Sequence, residues 1–184
     1  MGLRPVLLML MAGILASSVH AETKSNEVKK KEQCISLKKE QAAALVARDW
    51  ENLERLAKDY IAKCKEVFSS QDLSGCFVDI AIANNELGKP RLALAAAEMC
   101  IEIYYGNPGC HIEKTRALIA LGRKAEARKS LDISERLTRH ALENAKRELE
   151  SSSSEIEKNL HRSSINHYES ALLYIVTMRF TLAE

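Results

Sequence analysis

Small and apolar residues return along the middle of this chain with a helical rhythm. Between Ser74 and Leu87, Phe77, Ile80, Ala81 and Asn84 fall at i, i+3, i+4 and i+7, which puts them on one face of a predicted helix. Gly88 supplies a left-handed stop after the last turn, and Pro90 stands where a missing N–H costs nothing at the start of a new helix. That second helix, Arg91 to Tyr104, is dense in Ala93, Ala95, Ala96 and Ala97. Small side chains let helix axes approach towards the short end of roughly 8–10 Å. Gly106 and Pro108 punctuate again, and a third helix is expected from Pro108.

The pattern then repeats from one frame to the next: Leu87-Gly88 as Leu121-Gly122, Ala93 as Ala127, Cys76 as Cys110. A fixed period of this length, roughly 34 residues, marks a helix-turn-helix solenoid. Two full frames follow, 74–107 and 108–141, after a degenerate one over 34–67. Asp49, Trp50, Leu53, Ala57 and Tyr60 serve the degenerate frame well, but Glu40 and Gln41 fall where apolar or small residues belong. Either this is a polar-faced end cap, as solenoids need, or the register is one residue off. The stretch 68–73 reads as an insertion before the next frame.

These residues resemble the tetratricopeptide (TPR) family. Its frame favours a bulky residue at position 4, a small one at 8, Gly at 15 and Ala at 20, and Phe77, Ala81, Gly88 and Ala93 fill those slots. In the next frame Gly122, Ala127 and Leu131 fit, Thr115 is tolerable at position 8 and His111 is poor at position 4. The resemblance implies an all-α, TPR-like helix-turn-helix solenoid. It also implies a concave groove lined by the first helix of each pair. Carried onto this chain, the groove is Val78, Ile82 and Asn85 with Gly75, then Ile112, Arg116 and Ile119 with Gly109, and Lys38 and Leu45 from the first frame. Such a groove is apolar and lightly basic, and suits a protein or peptide partner with apolar side chains and one acidic group for Arg116.

Past Leu137 the helix runs long, through Ala141, Ala145 and Leu149, until Ser151–Ser154 interrupts it. Ser163-Ser164 then reads as the cap of a final helix rich in apolar residues from Ala171 to Phe180. This extension, 142–184, has three candidate roles: covering the open end, occupying the chain's own groove, or making a homodimer contact.

The stretch 1–21 reads as a secretory signal: Arg4, an apolar core from Val6 to Leu15, and Val19-His20-Ala21 before the cut. A charged lead, 22–33, follows and is expected to be solvated and frayed. Loss of Arg4 lowers the formal charge from +2 to +1, which gives no reason to expect nucleic acid. After cleavage no stretch is suited to span a membrane. The expected location is the bacterial periplasm, with extracellular or lumenal space as alternatives.

Five cysteines in an exported chain are read first as disulfides. The preferred pairing joins Cys64 to Cys76 and Cys100 to Cys110, stapling neighbouring repeats and leaving Cys34 single. The alternative joins Cys34 to Cys64 and Cys76 to Cys100. No catalytic, phosphate-binding or metal motif is present, so neither an enzyme nor a cofactor is expected. His111, His140, His161 and His167 lack ligand spacing and read as exposed or helix-face residues. What remains is a protein–protein interaction module, with a structural or dimerising protein whose groove is self-filled as the alternative.

Overall fold

The computed structural model describes residues 4–183, with side chains from residue 26 onward. The described residues form α1 (Arg4–Ala47), α2 (Trp50–Cys64), α3 (Ser70–Glu86), α4 (Pro90–Ile103), α5 (Pro108–Ala120), α6 (Lys124–Ser151) and α7 (Glu155–Ala183). The signal expected over 1–21 lies outside the described side chains.

Consecutive helices pack as antiparallel neighbours, giving an all-α TPR-like solenoid. Its repeat unit is visible in the turns. Gly88 and Gly122 take φ of +67° and +73°, the left-handed region that favours glycine. The next amide reaches back each time: Lys89 N to Asn84 O at 2.8 Å, Arg123 N to Leu118 O at 2.9 Å. Asp49 N reaches Ala44 O at 2.9 Å in the same way, with Arg48 in the glycine slot at φ +55°. The degenerate frame thus carries the same turn, and its polar Gln41 is buried in the core.

Ala93 and Ala127 are fully buried where paired helices meet. One core gathers α1 to α4 around Leu53, Leu56, Ala57 and Tyr60. The second gathers α4 to α7 around Leu94, Leu118, Leu131 and Ile175. α1, α3, α5 and α7 form one layer, joined by Gln41–Asp79, Asn85–Glu113 and the second core. α2, α4 and α6 form the other.

Three local expectations are corrected. The insertion before the second frame is largely helix: Ser69 and Asp72 close a reciprocal capping box, so α3 starts one turn early. The lead over 22–33 is helical, and Lys30 pairs with Glu66 at 2.9 Å. Ser163 and Ser164 lie inside α7 rather than capping it, because Ser164 Oγ donates back to Leu160 O at 3.2 Å within the helix. The break before α7 falls at Ser152–Ser154.

α7 packs along α6 at the end of the stack. Its Ile175, Met178 and Leu182 are buried in the second core. Arg179 ties it to Asp132 at 2.7 Å and Glu135 at 2.6 Å on α6, and Arg128 donates to Leu182 O at 2.6 Å. Leu173, Val176 and Phe180 form a solvent-facing stripe on its far side.

Candidate binding groove

The groove residues come from two neighbouring helices of one layer. α3 carries Val78, Ile82 and Asn85, and α5 carries Ile112, Arg116 and Ile119, each half-buried. The helices approach closely at Gly109, where a Cβ would meet Val78 Cγ2 at 3.3 Å. Ile112 and Ile119 lean on the second core. All four branched apolar side chains are half-buried, and the core behind Ile112 and Ile119 restricts the rotamers of those two.

Arg116 is not the free cation the sequence led one to expect. Its Nη1 donates to Glu113 Oε2 at 3.0 Å, and its Nη2 donates to Glu86. Asn85 Nδ2 donates to Glu113 Oε2 at 2.8 Å and to the Glu113 carbonyl at 3.2 Å. Burial pushes the Glu113 carboxyl up, against the pull of Arg116 and Asn85. Burial also works against the Arg116 charge, but Glu113 and Glu86 outweigh it and hold the guanidinium firmly protonated. Tyr174 of α7 borders this network; burial raises its phenol and Arg116 opposes the rise. Two carboxylates to one guanidinium make this floor acidic on balance, not basic.

A second polar cluster joins α1 to α3. Gln41 Nε2 donates to Asp79 Oδ2, and Lys38 Nζ stands 3.9 Å from the same carboxylate oxygen. Lys38 also lies 3.5 Å from Cys76 Sγ and 5.2 Å above the Tyr60 ring. Burial pushes Asp79 up to about 6, with Lys38 and Gln41 opposing. Lys38 is thus turned towards α3, while Leu45 stays exposed at the end of α1.

The disulfides follow neither proposed scheme whole. Cys100–Cys110 staples α4 to α5 across a sequence separation of 10. Cys64 bonds to Cys34, not to Cys76, and so closes the α1–α2 hairpin across a separation of 30. Cys76 is a buried free thiol, its pKa raised by burial. The reason lies in the first frame itself: Tyr60, not a cysteine, occupies the slot equivalent to Cys100 and lies against Cys76. Two disulfides suit an oxidising environment.

His111 is buried rather than exposed. Its Nε2 lies 3.4 Å from Tyr105 O, its ring meets Tyr105 edge-on at 5.1 Å, and burial lowers its pKa. It fills position 4 as a bulky side chain should. Among the described residues no cluster of His, Cys, Asp or Glu is placed to hold a metal. Among the same residues no helix is long and apolar enough to cross a membrane.

Sequence reasoning missed Glu86, Glu113, Tyr174 and Asp79. One signal was available: Asp79 and Glu113 are themselves one repeat period apart, an acid recurring at position 6 of both good frames.

No protein-family model matches the chain, and no curated protein matches it. Among solved structures it is similar to the TPR2B domain of yeast Sti1, in a complex with pHsp70. The TM-score is 0.53 at 19% identity, over 73% of this chain and 97% of that one. At this identity the likeness bears on the fold.

Proposed function

We propose that this chain is a protein-interaction module that holds a peptide or helix of a partner in the groove between its inner-layer helices. The observation that carries the reading is the set Val78, Ile82, Ile112 and Ile119, half-buried on two adjacent helices and edged by Asn85, Arg116 and Tyr174. The likeness to an interaction domain agrees with it. The frames 34–67, 74–107 and 108–141 supply the solenoid, and 142–184 seals its end. The compartment is an oxidising one, the bacterial periplasm first, entered through cleavage after Ala21; N-terminal sequencing of exported protein should begin at Glu22.

The test is capture of a partner from the source cell by the intact chain and by Ile82→Glu. Loss of capture at an unchanged melting temperature supports the groove; equal capture overturns it. A second reading rests on the stripe Leu173, Val176 and Phe180, each about half exposed or more. It makes the chain a homodimer through α7, and sedimentation of the intact chain beside Phe180→Glu decides it. A dimer mass lost on substitution supports that reading, and a monomer mass for the intact chain removes it.

A further inference from the structure

The polar floor of the groove has a charge that the row of isoleucines does not. Arg116 is spent internally, Nη1 on Glu113 and Nη2 on Glu86, and Glu113 also takes the Asn85 amide. One guanidinium against two carboxylates leaves one formal negative charge. The side chain of Glu113 is 7% exposed, so that carboxylate is closed to a partner, whereas the side chain of Glu86 is 35% exposed. The accessible excess therefore sits at Glu86, at the end of α3. Tyr174 of α7, 41% exposed, borders the Arg116 guanidinium that Glu86 holds. Three successive inner-layer helices thus bring a carboxylate, an arginine paired on both amino groups and a tyrosine together next to the apolar row.

We infer that the segment bound in this groove carries a lysine or arginine side chain seated at the Glu86 carboxylate, next to apolar side chains that cover Ile82 and Ile119. An acidic group there would be a third carboxylate, beside an arginine already paired through Nη1 and Nη2. The ligand preference expected from Arg116 in the sequence is thereby reversed. This inference rests on the groove reading above and adds its charge rule.

The probe is a phage-displayed library of random dodecapeptides, selected on the full chain and sequenced. The expected pool is enriched at least threefold in Lys and Arg over Asp and Glu relative to the input, beside a recurrent apolar pair. Glu86→Gln should erase the charge bias and keep the apolar pair, while Glu86→Lys should turn the bias towards Asp and Glu. Both variants are checked by melting temperature, and Glu86→Gln leaves Arg116 its bond to Glu113. An apolar pair with no charge bias, or with an acidic one, overturns the charge rule and leaves the groove standing. A pool unchanged by Ile82→Glu overturns the groove and the charge rule together.

Discussion

Asp79 and Glu113 occupy the same slot in successive repeats, and the chain stabilises them by different means. Glu113 faces an arginine at 3.0 Å and an asparagine amide at 2.8 Å. Asp79 faces a glutamine amide and, at 3.9 Å, a lysine shared with a thiol and an aromatic ring. A planar guanidinium can satisfy two carboxylates at once, whereas an ammonium acts as a point charge. The α3–α5 junction is thus wired by directed bonds to an arginine, and the α1–α3 junction by a glutamine amide and a long ion pair, while burial raises both carboxyls, Asp79 to about 6. A recurring acid marks where inner-layer helices meet, and its partners decide how firmly.

The largest single loss expected is at a staple. By loop entropy Cys34–Cys64 contributes roughly 3.5 kcal/mol and Cys100–Cys110 roughly 2.7 kcal/mol. Denaturant unfolding of Cys34→Ser/Cys64→Ser should therefore show the greater loss, and a greater loss for the Cys100/Cys110 pair would reverse the ranking. Next, Arg116→Ala should cost about 3 kcal/mol, since it strands the enclosed Glu113. Lys38→Ala should cost less than about 1 kcal/mol, because its ion pair is long and half-exposed. Equal losses would erase the difference between the two junctions.

The pH response sharpens the same comparison. A carboxyl whose folded pKa is raised from 3.8 to about 6 gives stability that is complete below pH 4 and lost as pH rises through 6. Asp79→Asn keeps an acceptor for Gln41 and removes the buried charge. It should raise stability at pH 7.5 by about 2 kcal/mol and flatten the slope between pH 4 and 6. An unchanged slope would assign that titration to another group. The smallest effect lies in the turns: Arg48→Gly should stabilise by about 1 kcal/mol by relieving a left-handed arginine, whereas Gly88→Ala should destabilise. Thermal melts of both variants check the pair.

The solenoid was legible because its marks are local. Gly88 and Gly122, Pro90 and Pro108, Ala93 and Ala127 each act within one turn or one helix pair, so their period survives in the sequence. The polar floor was not, because its members only meet after folding. Gln41 looked like a fault in the pattern until Asp79, far along the chain on α3, became its partner. Arg116 looked free because Glu86 stands on another helix, well before it in the sequence. The cysteine pairing failed for a related reason: only after folding does Tyr60 of another helix, rather than a thiol, lie against Cys76. Ser163 and Ser164 misled because serine that bonds back to the helix looks, in sequence, like serine that starts one.

The central claim, that partners enter through the inner-layer groove, is tested most directly by photo-crosslinking in the source cell. A benzoylphenylalanine is placed at Tyr174 on the groove edge, at Met99 on α4 of the other layer, or at Phe180 on the α7 stripe. The account predicts a partner adduct from Tyr174 that Ile82→Glu abolishes, and no adduct from Met99. Adducts from Met99 or Phe180 with none from Tyr174 would contradict it.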